Sequence, residues 1–278
     1  MAKTSIVLLG TGTPNIDPER FCSAAAVVVD ERAFLIDVGP GFLWRAAAKT
    51  QEFEALEAAN LRYAFITHLH SDHTAGYPEL ILNGWIMGRE QPLEVYGPHG
   101  LQAMTDHLLV AYEIDIQARL NSSEQVDKHG PQVHVHEIET SGGVVYQDEQ
   151  VTVEAFRVHH GTLEAFGYKF TTPDRVIVHT GDTTPLEITI EQAKGCDALI
   201  HNVYSAVGLT EQSAKRQRLF TQLLTSTDEL AAIAIQAEPK LLILVHQEYF
   251  GVSDDDLLAE IRRTYDGRVV SGRDLDVY

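Results

Sequence analysis

Cysteine and long apolar runs are both scarce in this chain. Cysteine occurs only twice among the 278 residues, as Cys22 and Cys196, and neither belongs to a C-x-x-C pattern, so a disulfide framework and a thiolate zinc site are not expected. No segment reaches the roughly eighteen consecutive apolar residues that a membrane span needs. The strand-like run 6–9 begins too close to Met1 to leave room for a signal peptide. We therefore expect a cytoplasmic protein without a membrane partner.

Basic residues are also few. The chain has 21 lysines and arginines against 40 aspartates and glutamates, which gives a formal net charge of −19. A protein that neutralises several phosphates of a nucleic acid needs a basic surface, because much of the affinity comes from the release of counterions. The composition therefore argues against long RNA as a partner.

Apolar residues make up 44% of the chain, which is ample for a folded core. Stretches typical of strands alternate with stretches typical of helices, and α/β folds often reach this length as one domain. The apolar runs 24–29 and 33–37 predict a hairpin. Helices are predicted over residues 100–120, 226–237 and 253–265. The sequence therefore predicts an α/β protein.

Four side chains of the kinds that bind metal ions lie within six residues, directly after the apolar run 63–66: His68, His70, Asp72 and His73. Alternate side chains of an extended segment point the same way, so His68 and His70 can share one metal ion. A turn at residue 71 directs Asp72 and His73 toward a second position. Imidazole and carboxylate ligands suit zinc, with manganese or iron as alternatives. The segment predicts a binuclear metal site rather than a solvated loop.

The spacing His-x-His-x-Asp-His resembles the signature of the metallo-β-lactamase superfamily, and later motifs resemble its ribonuclease Z-like branch. The pair His160-Gly161 precedes a Phe-Gly-Tyr segment at 166–168. An apolar strand ends in Gly-Asp-Thr, which places Asp182, and a second apolar strand ends at His246. Each of these residues follows a β run, where short loops on a rigid sheet can direct side chains to one point.

The resemblance implies a fold, a ligand set and a cofactor. The fold is the four-layer αββα sandwich, formed as a single hydrolase domain over residues 1–278. Two Zn²⁺ ions per chain are expected, with Mn²⁺ or Fe²⁺ as alternatives. The implied ligands are His68, His70 and His160 for one ion, Asp72, His73 and His246 for the other, and Asp182 for both. Asp37 ends another apolar run, where it is either a hydrogen-bond partner of a ligand histidine or a turn carboxylate.

The resemblance also makes Asp72 and His201 the candidate catalytic residues. In the ribonuclease Z-like segment that His201 matches, a glutamate follows the histidine, whereas this chain has Asn202. The family often has a further histidine before a Ser-Thr pair, where this chain has Leu224. The expected ligands are thus kept, while the residues expected to assist the transition state are altered.

These observations favour a di-zinc hydrolase that attacks an ester through a metal-bridging hydroxide. We favour a phosphodiesterase acting on a small-molecule or short oligonucleotide anionic ester, because the long basic arm of bacterial ribonuclease Z, expected between 168 and 182, is absent. One alternative is ribonuclease Z itself, the endonuclease that processes tRNA 3′ ends. Another is an arylsulfatase or lactonase on the same scaffold. A metal-binding protein without catalytic activity is the least favoured.

Residues 205–224 form an insert directly after His201. A predicted helix within it carries Lys215, Arg216 and Arg218, a cluster that we interpret as a solvated helix face. We expect the insert to be helical and to serve either as a lid that places cations near an anionic substrate or as a contact in a homodimer.

Overall fold

The computed structural model describes residues 3–122, 126–127 and 131–278, in which thirteen strands and ten α-helices are present. The strands are Thr4–Gly10 (β1), Ala24–Val29 (β2), Arg32–Ile36 (β3), Tyr63–Phe65 (β4), Leu93–Gly97 (β5), Val133–Glu137 (β6), Gly143–Gln147 (β7), Thr152–His160 (β8), Leu163–Thr171 (β9), Val176–His179 (β10), Ala198–Tyr204 (β11), Leu242–Glu248 (β12) and Val269–Ser271 (β13). The helices are Phe42–Ala48 (α1), Ser71–Thr74 (α2), Tyr77–Ile86 (α3), Leu101–Ala111 (α4), Glu113–Leu120 (α5), Glu187–Ala193 (α6), Ala206–Thr210 (α7), Ala214–Phe220 (α8), Thr227–Ala237 (α9) and Asp254–Ile261 (α10). Short 3₁₀ turns lie at Glu54–Leu56 and Ala58–Asn60.

The strands form two mixed sheets. The first has the order β1-β2-β3-β4-β5-β6 and the second the order β13-β12-β11-β10-β9-β8-β7. Parallel pairing joins β3 through β6 in the first sheet and β10 through β13 in the second. Parallel strands end at the same edge of their sheet. The carboxyl ends of β3 and β4 therefore lie together in the first sheet, and those of β10 and β12 lie at one edge of the second.

Side-chain alternation along the strands separates three apolar layers. In β1, Ile6 and Leu8 lie between the two sheets, whereas Val7 and Leu9 face the helices outside the first sheet. In β11, Ile200 lies between the sheets and Leu199 faces outward toward α9 and α10. Helices therefore cover the outer face of each sheet. This arrangement confirms the predicted αββα sandwich.

Aromatic side chains fill the layer between the sheets. Phe65 stacks on Tyr96 with ring centroids 4.9 Å apart and meets Tyr168 and Phe170 edge-on at 5.5 and 5.4 Å. Such pairs contribute about 0.5–1.5 kcal/mol each beyond the burial of their area. Phe65 lies three residues before His68, so this packing fixes the strand from which the histidine-rich loop departs.

Several local predictions can be compared with the structure. The hairpin is confirmed, since β2 and β3 pair antiparallel. The helix predicted over 226–237 is confirmed from Thr227, and Ser226 and Glu229 form a capping box at its start. The helix predicted over 100–120 is in fact two helices, α4 and α5, divided at Tyr112. The helix predicted to begin at Ser253 is confirmed but ends earlier than expected, at Ile261.

The insert over 205–224 contains α7 and α8. Its anchor is the buried carboxylate of Glu260 on α10, which accepts hydrogen bonds from the Ser205 hydroxyl (2.6 Å), the Ala206 N–H (2.9 Å) and the Thr227 hydroxyl (2.6 Å). Leu224 is buried at its far end. Both ends of the insert are therefore fixed to the second sheet and its helices. Across the described residues, every helix is too short or too polar to cross a bilayer.

Candidate metal centre

The histidine-rich loop begins where β4 ends. The Phe166 N–H donates to the Thr67 carbonyl (2.9 Å), which ties this loop to the second sheet. His68 is buried, and His70 is exposed in the extended conformation just before α2. The single turn of α2 then carries Asp72 and His73 into the interior, where both are buried. The predicted change of direction at residue 71 is thus the start of a helix.

The remaining three ligand candidates arrive from the second sheet. His160 is the last residue of β8, and Asp182 follows β10. His246 lies within β12 at a β-bulge, because Asn202 pairs with Val245 while Val203 pairs with Gln247. His246 has a φ of 48°, a left-handed conformation that is rare for residues other than glycine. A bulge of this kind redirects one side chain, and here it turns the imidazole toward the loop after β4.

The structure brings all seven candidates together. His70 Nδ1 lies 3.0 Å from His68 Nε2 and 3.2 Å from His160 Nε2. The three sets whose ligand atoms all lie within 4.8 Å of one another are His68, His70 and His160; His68, His73 and Asp182; and Asp72, His73 and His246. The first and third match the two predicted ligand groups. Their roles as ligands stay a prediction.

Asp182 lies between the two groups. Its Oδ2 is 3.3 Å from His246 Nε2, 3.5 Å from His73 Nε2 and 3.9 Å from His160 Nε2. Asp72 belongs to one side only, with Oδ2 3.2 Å from His246 Nε2 and 3.3 Å from His73 Nε2. A bridging ligand must lie close to the ligands of both metal ions, and Asp182 meets this requirement because its carboxylate lies near histidines of both groups.

The electrostatics of the cluster suit a cation. Burial would raise the pKa of Asp182, but the charges of His246 and His73 outweigh it and hold the pKa well below its ordinary range. Burial likewise opposes ionisation of Asp72, yet the hydrogen bond from His246 and the neighbouring His73 imidazole lower its pKa. Burial and the neighbouring imidazoles lower the pKa of His68 well below 6.5. Ionised carboxylates and a neutral imidazole are the forms that coordinate metal ions.

Asp37 lies next to the cluster and forms hydrogen bonds with residues of the histidine-rich loop. Its carboxylate accepts hydrogen bonds from the Thr67 N–H (2.8 Å), the Thr67 hydroxyl (2.9 Å) and His73 Nδ1–H (2.7 Å). His160 Nδ1–H donates to the Leu223 carbonyl (2.9 Å). Partners of this kind fix the tautomer of a ligand histidine and direct its other nitrogen inward. Of the two roles considered for Asp37, the structure therefore supports that of a hydrogen-bond partner.

Two glycines allow the backbone to approach the cluster. A Cβ at Gly39 would lie 2.2 Å from the Asp72 carbonyl oxygen, so a larger residue would displace the loop. Gly181 has a φ of +61°, and a Cβ there would meet the Thr67 side chain at 2.8 Å. Both positions require the absence of a side chain.

The donor set fits divalent metal ions. All seven side chains offer imidazole nitrogen or carboxylate oxygen, which are ligands of zinc, manganese and iron. His73 Nε2 is buried and points at the two aspartates, yet within the described part of the chain it has no well-formed hydrogen bond. A buried polar atom without a partner is costly. A bound cation would satisfy it.

The structure does not bring His201 into this cluster. Strand alternation puts His201 on the same face of β11 as Leu199 and Val203, toward the outer helices. The ring is fully buried, and its Nδ1–H donates to the Asn202 carbonyl (2.7 Å). Among the described residues, no hydrogen bond, ion pair or ring contact joins it to the seven candidates. The catalytic role of His201 stays a prediction, and it lacks an exposed atom that could meet a substrate.

His201 is therefore expected to affect stability at low pH more than catalysis. Burial lowers its pKa to about 4, whereas an unfolded histidine titrates near 6.5. The neutral ring thus stabilises the fold above pH ~6.5, and this contribution, roughly 3 kcal/mol, is lost as the pH falls to about 4. His201→Gln should leave kcat nearly unchanged and weaken the decline in stability between pH 6.5 and 4, measured by urea unfolding. A fall in kcat of roughly 10²–10⁴-fold, the range for a positioned acid or base, would restore the catalytic role.

One residue near the cluster was not anticipated from the sequence. Glu248, two residues after His246, is buried at the wall of a cavity of about 300 Å³ that Arg216 and Phe250 also line. Burial raises the pKa of Glu248, and Asn15 Nδ2 donates to its carboxylate (3.2 Å). Its position in the apolar strand β12, within two residues of a predicted ligand, is the signal that could have found it.

Comparison with known proteins agrees with this geometry. The model of the β-lactamase superfamily domain matches residues 32–247. Ribonuclease Z of Mycobacterium bovis (strain BCG / Pasteur 1173P2) is 30% identical over 276 residues, covering 97% of this chain and 96% of the relative, and that of Mycobacterium marinum gives the same figures. Among solved structures, the short form of human tRNase Z is 23% identical, with a TM-score of 0.73 over 99% of this chain and 98% of that one. The metallo-β-lactamase fold protein YhfI of Bacillus subtilis also has a TM-score of 0.73, at 18% identity and 99% coverage of both chains.

These relatives correct one expectation. The composition argued against long RNA, but the relatives that match almost the entire chain are ribonucleases. Net charge is a weak argument against RNA, because charges more than about 8 Å apart at a surface are largely screened at physiological ionic strength. The few charges beside the site therefore matter more than the total. The same matches favour ribonuclease Z over the small-ester phosphodiesterase that was ranked above it. The chain belongs to the metallo-β-lactamase superfamily, in its ribonuclease Z-like branch, and is a hydrolase of ester bonds.

Proposed function

We propose that this protein is a metal-dependent endoribonuclease of the ribonuclease Z type, which hydrolyses the phosphodiester at the 3′ end of a precursor tRNA. The observation that carries the proposal is 30% identity to ribonuclease Z over 97% of the chain. The seven clustered imidazole and carboxylate side chains support it, since every predicted ligand position is filled.

The proposed cofactor is a pair of divalent ions, with zinc preferred and manganese or iron as alternatives. His68, His70 and His160 would hold one ion; Asp72, His73 and His246 would hold the other; Asp182 would contact both. Ions bound in this way activate water for attack and stabilise negative charge on the scissile phosphate.

Residues of the chain orient the ligand histidines and accept the proton of the attacking water. Asp37 directs His73, and the Leu223 carbonyl directs His160. Asp72 Oδ2 faces His73 and His246, and we assign to Oδ1 the acceptance of a proton from the attacking water. Such a transfer by a positioned carboxylate contributes typically 10²–10⁴-fold to the rate.

The insert supplies positive charge beside the site in an otherwise acidic chain. Arg216 on α8 lies over the rings of Phe220 and Phe250, 5.6 and 5.5 Å from their centroids. It lines the same cavity as Gln247, the residue after His246. Arg218 is exposed on the same helix. We therefore favour, for the insert, contact with the substrate over a role confined to dimerisation.

Charge reversal on α8 should weaken RNA binding. Arg216→Glu combined with Arg218→Glu is expected to raise KM for RNA. The slope of the logarithm of the binding constant against the logarithm of salt concentration should fall by the amount that corresponds to about two phosphate contacts. kcat for a neutral ester should change little, because the lost contact is equal in the ground and transition states. The control is Arg263→Glu with Arg268→Glu. Both arginines are exposed and precede β13, and Arg268 lies at the amino end of this parallel strand, away from the carboxyl end of β12 where His246 lies. Equal effects of the two double variants, or a changed oligomeric state with unchanged kinetics, would contradict a substrate contact.

The function itself is tested with purified protein and a substrate panel. Protein loaded with Zn²⁺ or Mn²⁺ should cleave precursor tRNA at its 3′ end, chelation should abolish cleavage, and re-addition of metal should restore it. The panel also contains a bis-aryl phosphate, an aryl sulfate and a lactone. Hydrolysis of the sulfate or the lactone, with intact precursor tRNA, would overturn the proposal.

A further inference from the structure

Thr183, the residue after Asp182, has its backbone N–H and its backbone carbonyl bound by buried side chains. The Thr183 N–H donates to Asn202 Oδ1 (3.2 Å), and the Thr225 hydroxyl donates to the Thr183 carbonyl (2.8 Å). Thr183, Asn202 and Thr225 are each 0% exposed. We call Asn202 and Thr225 the Thr183 clamp.

The clamp acts between two backbone contacts to neighbouring strands. Strand β10 ends at His179, and the backbone contacts to neighbouring strands on either side of Thr183 run from the Thr180 N–H to the Ile200 carbonyl (3.1 Å) and from the Thr184 N–H to the His159 carbonyl of β8 (3.1 Å). Gly181 then turns the chain with its positive φ. The direction of the Asp182 side chain consequently depends on the backbone at Thr183, whose N–H and C=O are bound by the side chains of Asn202 and Thr225.

The two clamp residues connect Asp182 to other parts of the site. Asn202 is the β11 residue beside the bulge that directs His246. Thr225 directly follows the insert, and its carbonyl accepts a hydrogen bond from the Tyr204 N–H (2.9 Å). The clamp thus couples the position of Asp182 to the strand pair that carries His246 and to the end of the insert, two residues after the Leu223 carbonyl that directs His160.

Packing alone does not explain why a polar side chain occupies position 202. Its Nδ2 is buried and has no hydrogen-bond partner among the described residues. An apolar residue of similar size would fill the position without a stranded donor, since buried polar groups without partners destabilise a fold. The contact of Asn202 Oδ1 with the Thr183 N–H therefore points to a role of Asn202 at the site.

We propose that Asn202 and Thr225 are positioning residues that fix Asp182 between the two metal subsites. The inference rests on the proposed metal centre and not on the RNA substrate. Because Asp182 reaches histidines of both groups, loss of either clamp contact should weaken both subsites together. Supporting contacts of this type are typically worth 10–100-fold in metal affinity or activity.

The test uses the full-length protein and measures the dissociation constants of Zn²⁺ by competition with a chromophoric chelator. Thr225→Val keeps the shape and removes the hydroxyl, and Thr225→Ser retains the hydroxyl. We expect Thr225→Val and Asn202→Leu to weaken both Zn²⁺ equivalents by roughly 10–100-fold, and Thr225→Ser to restore affinity close to that of the wild type. The control is Thr105→Val. Thr105 is 1% exposed, and its hydroxyl bonds Tyr77 Oη (2.8 Å) and the Leu101 carbonyl (2.8 Å).

The control separates positioning from general destabilisation. Thr105→Val should lower the thermal midpoint of the metal-free protein as Thr225→Val does, while leaving Zn²⁺ affinity unchanged. Wild-type affinity in both Thr225→Val and Asn202→Leu would overturn the inference, as would an equal loss in Thr105→Val. If Thr225→Val does not fold, Thr225→Ala and Asn202→Leu decide by the same measurement. Failure of the wild type to bind any divalent ion would overturn the metal centre first, before variants are compared.

Discussion

Replacing Asp182 by alanine is expected to abolish hydrolysis and to reduce occupancy of both metal subsites. Its Oδ2 is the carboxylate oxygen that lies within 3.9 Å of histidines from both ligand groups. The bound ions are expected to supply several kcal/mol of transition-state stabilisation, so that their loss corresponds to at least about 10³-fold in kcat/KM. Metal content by mass spectrometry and kinetics on precursor tRNA measure the two effects.

Two further variants make this prediction specific. His246→Ala removes a candidate ligand of one group only and should lower occupancy of one subsite selectively. Asp197→Asn removes a charge at the start of β11, where Asp197 accepts from the Val176 N–H (2.7 Å) and pairs with Lys240, and it should change neither metal content nor kcat. Two full metal equivalents in Asp182→Ala, or an effect on one subsite alone, would contradict the bridging role.

The sequence was sufficient for the parts of the site that depend on local spacing. Four ligand-type residues within 68–73 cannot be accounted for by packing, and the apolar runs before His160, Asp182 and His246 predict that these residues lie near the carboxyl ends of strands, although β12 continues two residues beyond His246. The αββα architecture follows from the same alternation of apolar runs together with the family resemblance. In each case the information lies within a few neighbouring residues.

The contributions missed from the sequence depend on contacts between distant segments. The bulge at His246 results from a mismatch of register between β11 and β12, which no local pattern specifies. The division of α4 from α5 at Tyr112 is not marked by glycine or proline. Asp37 and Thr67 could have been paired in advance, because Asp37 directly follows β3 and Thr67 lies two residues after β4, the parallel neighbour of β3. Parallel neighbours end at the same edge, so this contact was within reach of the sequence.

His201 is the predicted site residue that the structure does not bring into the cluster, and its catalytic role stays a prediction. The motif match placed it at the substrate, but the alternation of β11 turns its ring away from the cluster and toward the outer helices. The departures already visible in the sequence, Asn202 in place of a glutamate and Leu224 in place of a histidine, are consistent with this orientation.

Asp37→Ala is expected to have the largest effect on stability. The carboxylate accepts three hydrogen bonds, from the Thr67 N–H, the Thr67 hydroxyl and His73 Nδ1–H, and Asp37, Thr67 and His73 are all 0% exposed. A buried group left without its partner costs about 1–3 kcal/mol, so the free energy of unfolding should fall by about 3–5 kcal/mol, a large part of the 5–15 kcal/mol typical of a domain. Asp37 also has a φ of 58°, which aspartate tolerates better than alanine does.

Asp37→Asn separates the two tasks of this carboxylate. Asparagine accepts the same backbone conformation, and its Oδ1 can still accept from the Thr67 N–H, so most of the stability should remain in urea unfolding. Its Nδ2 cannot accept the proton of His73 Nδ1, and the imidazole loses the contact that directs Nε2 toward Asp72 and Asp182. Metal affinity should therefore fall by roughly 10–100-fold while the unfolding midpoint changes little. Unchanged affinity in Asp37→Asn, or an unchanged unfolding midpoint in Asp37→Ala, would mean that His73 is held by its packing alone.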